Sequence, residues 1–400
     1  MTAPPLQSRV GELERRYLSG TFAELCRIES PSGSERGCAE RVIAELRALG
    51  VAVHEDDAAA SAGSNCGNLL VRMPAAGAPS AGDRSPNGGR GVLLCAHLDT
   101  VPLQAPVEPV LRDGFWENAN EGVLGADNKA AVAVLLALAR HIARAGAPLD
   151  VELLFTVCEE TALAGARAFD ASRLKGDFGY VFDHASPIGE VVVSSPSHYR
   201  VDACFHGAAA HAGLRPEEGR SAIHAAAHAI ASMPLGRLDE ETTANVGTIA
   251  GGSAMNVVPE RCSLVAEVRS LRAERAEAVV AELVDRLHEA ANLPECDCDV
   301  DIGVQRTFAG YRQPASRPAV RAAELALRSC GYEPSRISSG GASDANALIA
   351  QGFEVVNLAN GTERNHEPGE RVSVAALEAM LDVALTLLDE VAAPLLDAAR

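Results

Sequence analysis

Residues 91 to 193 alternate between short apolar runs and a long helical pattern, and this alternation constrains the fold more than any other feature of the chain. The apolar runs cover residues 92–96, 151–157 and 180–182, and a periodic apolar stretch covers residues 130–143. Runs of this length are typical of buried strands, whereas the longer periodic stretch is typical of a helix. Strands that alternate with helices predict an α/β fold, with a mixed sheet that carries helices on both faces.

The segment before this region extends the pattern. The expected elements are two helices and two strands, at residues 8–26, 35–49, 51–55 and 68–72. Gly50 has the position of a glycine that ends a helix. Residues 74–91 are rich in Gly, Pro, Ala and Ser, and we expect an exposed loop there.

The character of the sequence changes near residue 194, which indicates a second domain. The expected elements of the second domain are strand 199–205, helix 221–233, strands 243–250 and 262–269, helix 274–291 and strand 298–307. After it, we expect helix 319–330, strands 335–338 and 355–358, and helix 373–391. Because 400 residues exceed what one core usually supports, we predict a discontinuous domain of residues 1–193 and 313–400, with residues 194–312 inserted.

Composition excludes several classes of partner. A net charge of −19 argues against nucleic acid and against an anionic membrane surface. No apolar stretch approaches the roughly 20 residues of a membrane span, and the polar N-terminal segment predicts no signal peptide. Ten cysteines without paired spacing predict reduced thiols and a cytoplasmic protein. Cys296-x-Cys298 has the alternatives of a metal or redox pair and of small buried side chains, and its isolation favours the second.

A histidine and an aspartate stand at the end of the first apolar run. Residues 91–101 read GVLLCAHLDTV, so that His97-x-Asp99 follows the predicted strand. In a metal site, His97 would coordinate through one ring nitrogen, while Asp99 would accept the other N–H and select the tautomer. The alternative is an ordinary polar pair at the end of a strand.

Four more residues of metal-binding type follow at strand ends or in neighbouring loops. The complete set is His97, Asp127, Glu160, Asp183 and His366. Open α/β sheets bind ligands outside the carboxyl ends of their strands, where such residues meet. Three of these four have another interpretation, since Asp127 also suits a helix N-cap, Glu160 a charged surface and His366 a loop. Their joint occurrence in this order favours a metal centre.

The motifs resemble the co-catalytic di-zinc exopeptidase family, which includes peptidase T, glutamate carboxypeptidase, acetylornithine deacetylase and succinyl-diaminopimelate desuccinylase. The matching strings are AHLDTV at 96–101, GADNKA at 125–130, CEE at 158–160, AHAG at 210–213, TTANVG at 242–247 and GGSAMNVVP at 251–259. The sequence is most similar to the peptidase T-like branch, from about residue 22 to residue 388. The resemblance implies a mixed-sheet catalytic domain, an inserted α+β lid or dimerisation domain, and a homodimer formed through that lid.

The resemblance also implies two divalent metal ions that share Asp127. His97 and Asp183 would complete one site, and Glu160 and His366 the other. Zinc suits these nitrogen and oxygen ligands, and manganese or cobalt are alternatives. In the family, the peptide bond that follows the shared aspartate is often cis, so we expect a cis bond between Asp127 and Asn128.

Glu159 is the candidate general base, which would take a proton from a metal-bridged water and deliver it to the leaving amine. From the sequence alone, the roles of Glu159 and Glu160 are interchangeable, and the family order assigns them. The resemblance places Asp99 beside them as a further catalytic residue.

Four residues of the second region correspond to substrate contacts in the family. His211 would stabilise the oxyanion of the tetrahedral intermediate, either within one subunit or across a dimer interface. The alternative interpretation is that His211 is an ordinary surface histidine. Asn256 and Arg269 match positions that hold the polar groups of the substrate, although Arg269 has the alternative of a salt bridge with a nearby glutamate. Gly341 belongs to a glycine-rich loop beside the substrate.

The resemblance leaves three functional hypotheses. Asp183, where deacylases and carboxypeptidases tend to carry Glu, favours an aminopeptidase that acts on di- or tripeptides. The second hypothesis is an amidohydrolase, deacylase or carboxypeptidase of the same fold. The third is a non-catalytic relative, which would be expected to lack a ligand or Glu159, and all are present here. The expected partner is therefore a short peptide or amide.

Overall fold

The computed structural model describes residues 10–77 and 91–393, and the chain divides into two compact units. The first unit contains the chain up to Val193, residues 313–339 and the chain from Ser343 onward, and the second contains residues 194–312 and 340–342. Most of the loop predicted at residues 74–91, and the start of the helix predicted at residue 8, lie outside the described residues.

The first unit carries most of the helices and strands. Its helices are α1 Glu12–Cys26, α2 Arg36–Ala48, α3 Ala59–Ala62, α4 Ala126–Ala145 and α5 Ala164–Ala168. Its strands before the second unit are β1 Val53–Glu55, β2 Leu69–Met73, β3 Gly91–His97, β4 Pro109–Arg112, β5 Phe115–Asn118, β6 Asp150–Thr156, β7 Phe178–His184 and β8 Glu190–Ser195, the last of which leads into the second unit.

The second unit follows in the chain, and the first unit is then completed. The elements of the second unit are β9 Ser197–His206, α6 Ala222–Ser232, β10 Gly236–Asp239, β11 Thr242–Gly251, β12 Arg261–Ser270, α7 Ala273–Ala291, β13 Asp299–Phe308 and β14 Tyr311–Arg312. The elements that complete the first unit are α8 Pro318–Ser329, β15 Ser335–Ser338, α9 Asp344–Ala350, β16 Val355–Ala359, β17 Thr362–Glu363, β18 Arg371–Ser373 and α10 Val374–Ala392.

The large sheet of the first unit is mixed, as predicted, with parallel strands at its centre. Seven of its strands lie in the order β1-β2-β6-β3-β7-β16-β8, and β15 pairs with β8 beside them. Strands β6, β3, β7 and β16 pair in parallel, whereas β2 joins β6, and β8 joins β16, in antiparallel pairs. All seven residues of β3 are buried, as expected of a continuous apolar run in a parallel sheet. The carboxyl ends of the parallel strands therefore meet at one edge.

Helix α4 forms the core of the first unit. Nearly all of its residues from Ala126 to Ala139 are buried, and it packs against α1 and α10. Burial of this long apolar helix fixes the position of its first turn, which carries Asp127. No described helix has the length and apolar character needed to cross a membrane. All ten cysteines lie within the described residues and are free thiols, as predicted.

A four-stranded sheet in the first unit was not predicted from the sequence. It has the order β17-β18-β5-β4, and β4 joins β5 through Asp113 and Gly114, which both have positive φ. An Asp-Gly pair with this geometry is a strong hairpin signal. The sheet matters for function because β17 and β18 flank the loop that carries His366.

The second unit is an antiparallel sheet covered by two helices. Its sheet has the order β10-β11-β12-β9-β13, and α6 and α7 pack on it. Burial alternates along β9 and β12, as expected when only one face of a sheet is covered. A separate apolar core fills this unit, with Val201, Phe205, Leu264 and Leu283 at its centre.

Candidate metal centre

Three strands bring acidic and histidine side chains to the same edge of the large sheet. His97 is the last residue of β3, and Asp183 lies near the end of β7. Glu159 and Glu160 follow β6 after two further residues. Because β6, β3 and β7 are parallel neighbours, these side chains meet where the strands end.

Asp127 reaches the same region from the first turn of α4. Gly125 precedes it with φ +77°, and both Asp127 and Asn128 depart from helical backbone geometry. The peptide bond between Asp127 and Asn128 is cis, as predicted.

His366 belongs to the loop between β17 and β18. It has a left-handed backbone with φ +68°, as does Arg364 with φ +59°. Asn365 and Glu370, on either side of His366 in the loop, both hydrogen-bond to Asp127. The histidine side chain is half-exposed.

The donor atoms form two sets that share Asp127. In the first set, His97 Nε2 lies 3.2 Å from Asp127 Oδ1 and 3.4 Å from Asp183 Oδ1. In the second, His366 Nε2 lies 3.2 Å from Asp127 Oδ2 and 2.9 Å from Glu160 Oε1. Each oxygen of Asp127 therefore faces a different imidazole.

These residues fit a pair of divalent cations. The buried Oε1 atom of Glu160 makes no hydrogen bond to any described residue, although it lies 2.9 Å from His366 Nε2. Two ligands of one tetrahedral zinc ion, each about 2.0–2.2 Å from the metal, are about 3.3–3.6 Å apart. The separations of 2.9–3.4 Å between donor atoms in the two sets are close to this range. Imidazole and carboxylate donors are also the ligands that zinc, manganese and cobalt accept.

Glu159 is buried beside the two sets. One of its carboxylate oxygens lies within 4.8 Å of donor atoms of His97 and Glu160. Geometry alone therefore leaves the roles of the two glutamates interchangeable, as the sequence did.

Burial and mutual repulsion dominate the electrostatics of the centre. Burial, and then the charge of Asp183, raise the pKa of Glu159 well above its ordinary value. Burial likewise raises the pKa of Asp183 to about 8, although His97 opposes the rise. Asp127 behaves in the opposite way, since His366 and His97 overcome the effect of its burial and hold its pKa far below the usual range.

The carboxylates of the centre favour the protonated form of both histidines. The nearby carboxylates of Asp127 and Glu160 raise the pKa of His366 to about 10. Burial alone would lower the pKa of His97, but Asp183 and Asp127 raise it well above its ordinary value. Positive charge at these positions is therefore strongly favoured, and a metal cation would supply it.

Asp99 connects His97 to the loop of the two glutamates. Its carboxylate accepts hydrogen bonds from the backbone N–H groups of Glu159 (3.0 Å) and Glu160 (3.1 Å) and from the hydroxyl of Ser32 (2.7 Å). His97 Nδ1 lies 3.3 Å from Asp99 Oδ1 and 3.0 Å from the backbone carbonyl oxygen of Asp99. The carbonyl is thus the nearer partner of the imidazole, a contact that the sequence did not suggest.

Three polar residues that support the centre had no role in the sequence analysis. Asn365 Nδ2 donates to Asp127 Oδ2 at 2.8 Å. Glu370 accepts three backbone N–H groups around Asp127, and burial raises its pKa to about 7. Glu35 accepts the backbone N–H of Cys158, directly before Glu159. Asn365 and Glu370 flank His366 in the sequence, and that proximity was the only signal available.

The remaining predicted residues belong to the second unit. His211 and Asn256 are exposed neighbours, because His211 forms a β-bridge with Val257 and the carbonyl of Asn256 accepts the N–H of Ala212. His211 Nδ1 accepts the N–H of Gly213 at 3.2 Å.

Arg269 is paired with Glu267, so the salt bridge that was the alternative interpretation of this arginine is present. Its Nη2 lies 3.1 Å from Glu267 Oε2, and its Nη1 donates to the carbonyl of Gly340 at 3.3 Å, next to Gly341. A hydrogen bond from His198, followed by that from Arg269, lowers the pKa of Glu267 to about 2. The structure thus brings Arg269 to the glycine-rich loop with its guanidinium already engaged.

Two family profiles match the sequence. The profile described as peptidase family M28 matches residues 81–197, and the peptidase dimerisation domain of the M20 type matches residues 197–293. The two matches meet at the start of the second unit.

Relatives cover almost the whole chain. The protein YqjE of Bacillus subtilis (strain 168) is 33% identical over 380 residues, which are 95% of this chain and 99% of YqjE. The crystal structure of aminopeptidase PepT from Bacillus cereus is 35% identical with a TM-score of 0.83, and the match covers 95% of this chain and 99% of PepT. A tripeptidase structure from Staphylococcus aureus is 32% identical with a TM-score of 0.86, and covers 94% and 98% of the two chains.

The donor sets generate a prediction about metal-dependent stability. We expect Zn²⁺ or Mn²⁺ to raise the melting temperature of the metal-free protein, because a ligand at a hundredfold excess over its Kd stabilises the folded state by roughly 2.7 kcal/mol. Asp127→Asn removes a charged ligand from both sets and should abolish most of the rise. Differential scanning calorimetry with and without metal measures it. The matched control is Asp177→Asn, an exposed aspartate of the same unit, and an equal rise in both variants would contradict the assignment.

Proposed function

The chain belongs to the peptidase T-like family of metallopeptidases, and from this premise we propose that it is an aminopeptidase that releases the N-terminal residue of di- and tripeptides. The observation that carries the proposal is the carboxylate of Asp127 between two imidazoles, with the buried Glu159 beside it. This arrangement combines a place for two cations with a proton acceptor, as hydrolysis of a peptide bond requires.

We assign one cation to His97, Asp127 and Asp183, and the other to Asp127, Glu160 and His366. When bound, two such cations polarise the scissile carbonyl and lower the pKa of water towards neutrality. The mixed nitrogen and oxygen donors favour zinc, and manganese and cobalt are the alternatives.

Glu159 moves the proton in this proposal. Its carboxylate takes a proton from the attacking water and delivers it to the nitrogen of the leaving amine. Asp99 accepts the backbone N–H groups of both glutamates and so fixes the backbone that carries them. Because Glu159 is buried, the proton that it holds is protected from exchange with bulk water.

Substrate contacts are assigned to His211, Asn256, Arg269 and Gly341 by resemblance. Arg269 lies at the glycine-rich loop with its guanidinium engaged by Glu267, so it is less available to a substrate carboxylate than a free arginine fork. This observation, together with Asp183, supports the aminopeptidase over the carboxypeptidase of the same fold.

We also propose that two copies associate through the second unit, which carries the match to a dimerisation domain. Strand β11 pairs with β10 only over residues 242–244, so that its later residues offer a strand edge. Ile249 on that edge is 50% exposed, and Met255 beyond it is fully exposed. Free cysteines throughout the chain support a reducing, cytoplasmic location.

The peptide specificity is tested with matched tripeptides that have free, N-acetylated or C-amidated ends, after chelation and after return of zinc or manganese. We expect metal-restored cleavage that requires a free amino terminus and tolerates C-terminal amidation. Cleavage of only the acetylated peptides would instead identify a deacylase with the same centre. Loss of cleavage on C-terminal amidation would identify a carboxypeptidase.

The role of Glu159 is tested by Glu159→Ala. The variant should keep its bound metal and lose several orders of magnitude in kcat, because general-base catalysis alone contributes roughly 10²–10⁴-fold. Metal content and single-turnover rates are measured together, with the exposed Glu108→Ala as the control. Activity within tenfold of the wild type would remove Glu159 from the mechanism.

The association through the second unit is tested by light scattering. We expect a mass of twice 41.6 kDa for the wild type and a shift towards the single mass for Ile249→Arg, which places a charge on the exposed edge. Leu13→Arg, at a side chain that is 72% exposed in the first unit, serves as the control. A single mass for the wild type would contradict the dimer and exclude His211 from acting across an interface.

A further inference from the structure

Glu370 is a buried carboxylate that faces backbone amides. Only 1% of its surface is exposed. Its Oε2 accepts the N–H groups of Leu124 at 2.8 Å and Gly125 at 2.7 Å, and its Oε1 accepts the N–H of Asp127 at 2.8 Å. Both oxygens are thus occupied by the segment that leads into α4, and Glu370 is not a member of either donor set.

The same short loop holds Asp127 by its side chain as well. Asn365 donates to Asp127 Oδ2, and His366 Nε2 lies 3.2 Å from that oxygen. Residues 365–370 therefore contact the carboxylate of Asp127 at one end and its backbone at the other.

The loop would not keep this shape by its local preferences. Arg364 and His366 are non-glycine residues with positive φ, a strained conformation that persists only where surrounding contacts impose it. Glu370 supplies such contacts at the point where the loop enters β18. Gly125, on the other side of these hydrogen bonds, also has a positive φ of +77°.

We propose that Glu370 is a positioning residue, which fixes Asp127 relative to His366 and thereby sets the affinity of the centre for its two cations. The inference rests on the proposed metal centre. The effect follows from hydrogen-bond geometry, because the three N–H donors occupy both oxygens of the carboxylate. A glutamine accepts through one oxygen only, and its NH₂ group would face one of the three backbone N–H groups that Glu370 accepts.

The test compares Glu370→Gln and Glu370→Asp with the wild type and with Glu367→Gln. The control removes the same charge from the same loop at an exposed side chain. For each folded protein, the dissociation constants for Zn²⁺ and Mn²⁺ are measured by competition with a chromophoric chelator, and unfolding is followed separately in metal-free buffer. A residue that serves only the fold would lower metal-free stability and leave the metal affinity of the folded protein unchanged.

We expect Glu370→Gln to weaken metal binding about 10–100-fold, in the range typical of residues that orient metal ligands. Glu370→Asp, which keeps the carboxylate on a shorter side chain, should recover part of the affinity, and Glu367→Gln should bind as the wild type does. Wild-type affinity in a folded Glu370→Gln overturns the inference. If that variant does not fold, wild-type affinity in Glu370→Asp overturns it, and failure of both to fold assigns Glu370 to folding instead. A wild type that binds no divalent cation contradicts the metal centre itself.

Discussion

Buried negative charge is the constraint on which the rest of the site depends. Among the described residues, four carboxylates meet at one edge of the large sheet beside the imidazoles of His97 and His366, and the carboxylates are those of Asp127, Glu159, Glu160 and Asp183. Charges buried in such numbers are costly unless opposite charge compensates them. The raised pKa values of Glu159 and Asp183 express that cost. Two divalent cations would remove it, so the centre is arranged around cations that the fold itself does not supply.

A second group of buried carboxylates fixes the backbone and does not face the proposed cations. Asp99, Glu35 and Glu370 are buried, but backbone N–H groups bond their oxygens. Each one holds a loop that leads to a donor or to the proposed base. The division explains how the site keeps many acidic groups close together, since only some of them face the proposed cations while the others fix the backbone.

Much of this arrangement was predictable from the sequence, because regular patterns determine it. The apolar runs of β3, β6 and β7 and the periodicity of α4 place His97, Asp183 and Asp127 in elements whose ends meet, and those elements lie where the patterns predict. The hairpin of β4 and β5 was missed, although Asp113-Gly114 is a turn signal, because the strands are only four residues long. Glu370 and Glu35 were beyond prediction for another reason. Their partners lie more than 120 residues away in the chain, and nothing local marks a glutamate that will accept backbone amides.

The central claim is that Asp127 is shared by two cations, and anomalous diffraction from zinc-loaded crystals tests it most directly. Maps from data collected above and below the zinc absorption edge should show two peaks about 3.5–4 Å apart, one beside each carboxylate oxygen of Asp127. The first peak should lie next to His97 and Asp183, and the second next to Glu160 and His366. A single peak, or two peaks that do not share Asp127, would contradict the account.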